Sequence, residues 1–295
     1  MKILIIGGNG FIGRSLAEYF CKTYDVTVLD KHISFNNTNQ YAYIQCDVLN
    51  DSDVLNAAIK DADLVYHLAS PVGIHSIDQN CNSFLHDMLC INLAVFSIVK
   101  MYNKKLIFFS TSEVYGNCDN ACESDDCIIG NPNTPRWGYA SGKLTSEFLC
   151  KSLCKQSIIL RPFNICGVGD DKGVLYKMLQ AAFHSQDISI HGDGHQTRAL
   201  CDIRDLIEFV AKFNHRGFNG EIYNIGNANN VVSMNELALL CKHYTYSDSN
   251  IVNVKYADHF SPHHKDIEKR RPNCEKMNNI HRSQYTVEQI IKSIL

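Results

Sequence analysis

The sequence predicts an α/β protein, a doubly wound parallel sheet followed by a smaller C-terminal α/β lobe that covers a substrate. Three observations predict it. Short apolar runs alternate with amphipathic stretches through roughly the first 165 residues, a glycine-rich turn follows the first of those runs, and the alternation loosens after "RPFNICGVG".

The apolar runs "KILIIG", "VTVLD", "YIQCDV", "LVYHLAS", "KLIFFSTS" and "SIILRPFN" read as buried strands. Residues 11–21, 52–59, 82–102 and 138–154 between them have helical spacing, so the unit is a repeated βαβ. Further on, the expectation is a helix near 173–183, a strand near 188–190, a helix near 203–213, a strand in "EIYNIGN" and a helix from about 233. The expected division is a cofactor-binding domain of 1–165 plus about 199–226, with about 166–198 and 227–295 forming the substrate lobe.

In "GGNGFIG" the glycines Gly7, Gly10 and Gly13 stand between the first strand and the first helix. Glycines there allow a tight turn and close approach of a pyrophosphate, which the helix N-terminus stabilises; this is the Rossmann-type arrangement. The expected cofactor shell adds Phe11, Ile12, Val48, Leu68, Ala69 and Lys143. Asp30 ends the second strand, where a carboxylate accepts from both ribose hydroxyls and repels a 2′-phosphate, so NAD is expected over NADP. Lys31 beside it pulls the other way. Asp47 reads either as an adenine contact or as an N-cap for the helix that follows.

"YASGK" puts Tyr139 and Lys143 on one helix face, where an ammonium lowers a phenol pKa and lets the tyrosine act as a base. Upstream, "STSEVYG" sets the hydroxyl of Ser112 beside the carboxyl of Glu113.

These pieces, with "VYHLAS", "PRWGYASGK", "RPFN", "HGDGHQTR", "YNIGN" and "KRRPN", resemble the extended short-chain dehydrogenase/reductases of the nucleotide-sugar epimerase/dehydratase family. The resemblance implies Tyr139 and Lys143 as the redox pair, Thr111 as the assisting hydroxyl and Glu113 as a further acid/base. It also implies Asn164, Arg198 and Arg270 as holders of the nucleotide diphosphate, a UDP-sugar substrate, and a homodimer through the helices near 82–102 and 138–154.

Within the family the whole chain resembles the compact UDP-N-acetylglucosamine 4,6-dehydratase/5-epimerase type of giant DNA viruses, so a 4,6-dehydratase working through a 4-ketone is the first expectation. Typical dehydratases pair an Asp with the Glu, and Ser112 departs from that: its hydroxyl orients water or relays a proton but is a weak acid. "STSEVYG" and the Arg270 region also resemble UDP-glucuronate decarboxylases, where no acid is needed at C6. A simple 4-epimerase and a non-catalytic NAD-binding scaffold are the remaining readings.

Composition excludes other classes. A net charge of −3 with no arginine-rich stripe argues against nucleic acid. No run of roughly 18 to 20 uncharged apolar residues is read as a membrane span, and the N-terminus reads as a strand, so a cytoplasmic protein is expected. The 13 Cys are an odd number and read as reduced thiols. Cys118, Cys122 and Cys127 lack a CxxC pair, and Cys150 and Cys154 read as packing residues. His259, His263 and His264 lack regular ligand spacing, so no metal is expected.

Overall fold

The computed structural model describes residues 1–32, 40–71, 77, 80–214, 217–262 and 264–295. Seven parallel strands form the main sheet: β1 (Lys2–Ile6), β2 (Asp25–Asp30), β3 (Ala42–Gln45), β4 (Leu64–His67), β5 (Lys105–Phe109), β7 (Ser157–Pro162) and β11 (Glu221–Ile225). Their order is β11-β7-β5-β4-β1-β2-β3. Chain order reverses between β1 and β4, so the helices that follow these two strands lie on opposite faces of the sheet and leave a crevice at the carboxyl edge.

Both faces of the sheet are covered, which is why its strands are apolar without alternation. Ile3 and Ile5 pack with Leu16, Phe20, Phe209 and Val210 on one side; Leu4 and Ile6 pack with Leu55, Ile59, Phe96 and Cys150 on the other. The helices on these faces are Phe11–Phe20 and Ile203–Ala211, then Ser52–Asp61, Cys81–Met101 and Pro135–Leu153. Each fully buried Ile or Leu contributes about 2 kcal/mol of transfer free energy.

A second sheet runs in the order β12 (Val231–Ser233), β10 (Thr197–Asp202), β14 (Lys269–Pro272), β6 (Cys118–Ala121), with β8 (Asn164–Cys166) also on β10. It draws strands from both sides of residue 165. "SIILRPFN" accordingly divides: Ser157–Pro162 stays in the main sheet, and Asn164–Cys166 crosses to the second. A third core, with Leu179, Ile190, Leu200, Leu237 and Ile290, holds the C-terminal lobe together and includes side chains of the paired strands β9 (Ile188–His191) and β13 (Ile251–Val254).

One expectation is corrected. By length and composition the helix Cys81–Met101 is long and apolar enough to cross a membrane. Its Phe84, Met88, Val95, Phe96 and Val99 are buried, and it packs along Pro135–Leu153. All 13 cysteines are free thiols.

Candidate active site

The cofactor end is built on the turn after β1. Gly7 has φ +78°, and a Cβ there would stand 2.5 Å from the backbone nitrogen of Ala69, so the loops after β1 and β4 touch only because position 7 has no side chain. At Gly10 the protein makes no such demand: an added Cβ would meet nothing nearer than the Gly7 carbonyl at 3.6 Å. That open space lies at the N-terminus of the helix Phe11–Phe20, which no side chain caps. A pyrophosphate fits both facts.

Asp30, at the end of β2, accepts hydrogen bonds from the backbone N–H groups of Asn9 (2.9 Å) and His32 (3.1 Å), which fixes the carboxylate and leaves lone pairs for ribose hydroxyls. Lys31 turns away to Asp47 at 3.0 Å. Asp47 is not the expected N-cap: Asp51 occupies that position, while Asp47 accepts from the Leu49 N–H and from Asn50. Val48 is buried in the core beneath. Ile12 and Leu68 line the cleft that leads to Tyr139 and Lys143.

Pro135 starts the helix that carries Tyr139 and Lys143. Lys143 donates to the carbonyl of Phe109 at 2.9 Å, and burial brings its pKa down to about 8. Burial and the charge of Glu113 push the Tyr139 phenol up to about 12, against a hydrogen bond with Thr111 that lowers it. The expectation that Lys143 lowers the phenol pKa is therefore corrected: the ammonium is engaged with a strand-end carbonyl, and desolvation dominates. Thr111 caps the short 3-10 turn Ser112–Tyr115 by accepting from the Glu113 N–H at 3.2 Å.

Glu113 is buried and is not a free carboxylate. Arg136 donates to it through Nε (2.7 Å) and Nη2 (2.8 Å), and Arg270 Nη1 donates to its Oε1. Burial alone would raise its pKa; Arg270 and Arg136 override this and hold it at about 2.

Strand alternation explains Arg270: in Lys269–Pro272 the first and third residues face out and the second and fourth face in. Its register partner on the neighbouring parallel strand is Arg198. Two buried guanidinium groups side by side are unfavourable, and burial together with Arg270 lowers Arg198 to about 10. Asp266 relieves the crowding, accepting from Arg198 Nη2 (2.8 Å), Arg136 Nη1 (2.6 Å) and the Tyr256 hydroxyl (2.8 Å). Asn164 accepts from Arg270 Nη2 at 2.7 Å, and Arg270 Nε is buried with no partner among the described residues.

The expected residues Thr111, Ser112, Glu113, Tyr139 and Arg270 thus share one chamber, with Arg136 among them. Asn164 and Arg198 line an adjoining pocket, walled by His191, Tyr256 and Phe260, that shares Glu113, Arg136 and Arg270 with the chamber. Sequence reasoning missed Arg136, although it stands three residues before Tyr139 on the same helix face. It also missed Asp266, whose contacts are all tertiary except its link to Ile267 and Tyr256. Behind the chamber Glu147 holds Arg161 through both oxygens and accepts from Ser110 at 2.5 Å.

Among the described residues no group of three or more His, Cys, Asp or Glu is placed to hold a metal ion. His259 packs edge-on against the His191 ring, His264 stacks on Phe260, and His263 lies outside the described residues.

The family model described as "NAD dependent epimerase/dehydratase family" matches residues 3–226. The chain is 31% identical over 291 residues to a UDP-N-acetyl-alpha-D-glucosaminuronate decarboxylase of Bacillus cytotoxicus, covering 94% of this chain and 90% of that protein. Among solved structures it is similar to Pal from Bacillus thuringiensis, with a TM-score of 0.85 and 26% identity over 99% of this chain and 97% of the other. It shares its fold with UDP-glucuronic acid 4-epimerase from Bacillus cereus, solved with UDP-glucuronic acid and NAD (TM-score 0.86, 23% identity, 99% and 97% covered).

Proposed function

This chain belongs to the NAD dependent epimerase/dehydratase family and uses NAD to modify a nucleotide sugar, and within that family we propose that it decarboxylates a UDP-linked hexuronate. The state of Glu113 carries the reading. Eliminating water across C5 and C6 needs a base at C5 and an acid at the C6 hydroxyl. With its pKa at about 2 and two arginines on its oxygens, Glu113 has no proton to give near neutral pH and little basicity. Ser112 is no acid either. The first expectation, dehydration of UDP-N-acetylglucosamine with or without inversion at C5, therefore lacks its proton donor, and the second expectation is favoured.

Loss of CO₂ has no such requirement. Tyr139 takes the proton of the C4 hydroxyl as its phenolate, a form that its pKa of about 12 keeps scarce in the cofactor-free protein and that the positive charge of bound NAD would favour, with Thr111 bonded to the phenol and Lys143 one helical turn away. NAD, when bound, supplies the hydride acceptor and donor at C4. In the resulting 4-keto acid the electron pair of the C5–C6 bond moves toward the C4 carbonyl as CO₂ departs. C5 then takes a proton from water, and Tyr139 returns a proton to the C4 oxygen as the ketone is reduced. No net oxidation remains. The likeness to a UDP-N-acetyl-alpha-D-glucosaminuronate decarboxylase supports the same reaction and suggests an acetamido group at C2 of the sugar.

Tyr139, Lys143 and Thr111 are proposed as the proton-handling group, Asp30 and the glycine turn as the NAD site, and Asn164, Arg198 and Arg270 as the diphosphate and sugar-acid site. A homodimer through Cys81–Met101 and Pro135–Leu153 is proposed from their exposed Leu93 (47%) and Phe148 (69%). Incubating the NAD-loaded protein separately with UDP-N-acetylglucosaminuronate, UDP-glucuronate, UDP-N-acetylglucosamine and UDP-glucose, with mass analysis, tests the reaction. Loss of CO₂ from a uronate is expected; loss of water from a neutral sugar would reverse the assignment.

A further inference from the structure

We propose that Arg136 selects a substrate bearing a carboxylate at C6, offering that carboxylate its two uncommitted N–H donors. This rests on the sugar-acid reading above and adds the residue that enforces it. Arg136 and Tyr139 lie three residues apart on one helix, so their side chains leave the same face about 4.5 Å apart along the axis. That offset matches the step from C4 of a hexose, which must meet the phenol, to the substituent on C5. Both side chains line the chamber.

A guanidinium has five N–H donors. Glu113 takes two of those on Arg136 and Asp266 takes one, which leaves one on each terminal nitrogen. A carboxylate accepts charge-assisted hydrogen bonds from such guanidinium donors.

The charge balance agrees. Among the described residues Arg136, Arg198 and Arg270 pair only with Glu113 and Asp266, one positive charge in excess. The neighbouring Arg270 has a buried Nε with no partner among the described residues. The diphosphate assigned to Arg198 and Arg270 draws on that side of the cluster, so a C6 carboxylate, unlike a neutral hydroxymethyl group, is the anion left to accept from Arg136.

The test measures affinity for UDP-glucuronate and for UDP-glucose by calorimetry on NADH-loaded protein, in which C4 oxidation cannot proceed. Wild type is expected to prefer the uronate. In Arg136→Gln the preference should fall on the order of 10- to 100-fold, with UDP-glucose affinity unchanged, the loss expected for charge-assisted hydrogen bonds. Because Arg136→Gln strands the buried Glu113 carboxylate and can unfold the protein, Glu113→Gln/Arg136→Gln is measured alongside it. Removing the Glu113 charge alone favours anions, so a loss of preference in the double variant belongs to Arg136.

An unchanged ratio in the folded variants, or a wild type that binds both sugars equally, overturns the proposal. CO₂ release by wild type is scored separately. If CO₂ is released but the ratio never moves, Arg136 has no selecting role and the decarboxylase reading stands. If the ratio collapses but no uronate loses CO₂, the selecting role stands and the decarboxylase reading falls.

Discussion

Replacing Glu113 by Gln should destabilise the protein in a manner that depends on pH. The drop of the Glu113 pKa from 4.5 to about 2 corresponds to about 3 kcal/mol of preferential stabilisation of the charged form. Because the folded-state pKa lies below the unfolded one, this contribution is complete above pH 4.5 and disappears as the pH falls toward 2. In Glu113→Gln it is absent throughout, and Arg136 and Arg270 lose their shared acceptor. For a chain of this length the unfolding entropy is about 0.6 kcal/mol/K, so 3 kcal/mol corresponds to about 5 °C in Tm.

Scanning calorimetry of both proteins from pH 7 down to 3.5 reads this directly. The gap should be about 5 °C or more at pH 7 and should narrow once the pH passes below 4.5. A gap that stays constant with pH, or none at pH 7, would mean that the Glu113 charge does not stabilise the fold, and the argument against Glu113 as a free acid would collapse with it.

Tyr139→Phe should lower the rate of C4 oxidation by about 10² to 10⁴ while NADH still binds, as seen by single-turnover absorbance of the reduced nicotinamide. Gly10→Ala should unfold at the wild-type temperature but lose NAD affinity in a fluorescence titration, since the space beside position 10 is open in the protein. Gly13→Ala should instead unfold earlier, because its Cβ would come within 2.6 Å of the Gly8 Cα. Phe148→Glu places a charge on the most exposed aromatic side chain of the helix Pro135–Leu153 and should yield monomers in sedimentation velocity; a dimer that survives it would move the interface elsewhere.

Much of the site was legible because it is encoded locally. The glycine spacing of "GGNGFIG", the carboxylate closing "VTVLD" and the four-residue step from Tyr139 to Lys143 each need only a strand end, a turn or one helix to acquire meaning. The inward face of Arg270 follows from strand alternation in "KRRPN". The effect of Lys143 on Tyr139 was misread for a physical reason: spacing reports which face a side chain leaves from, whereas a pKa depends on burial and on the final partner, here the Phe109 carbonyl.

The sequence by itself determined the alternating α/β order, the parallel sheet and the glycine turn after the first strand, and it put the proposed catalytic Tyr139 and Lys143 on one helix, since these are properties of short periodic segments. Only the tertiary structure decided what Glu113 can do. Its partners Arg136 and Arg270 stand 23 and 157 residues away, and Asp266 reaches Arg136 across 130. No spacing rule spans such separations. The pairings arise where β14 lies beside β10 and Arg136 of the Tyr139 helix reaches Glu113 and Asp266, and there two guanidinium charges outweigh the cost of burial and turn a nominal acid into a fixed negative charge.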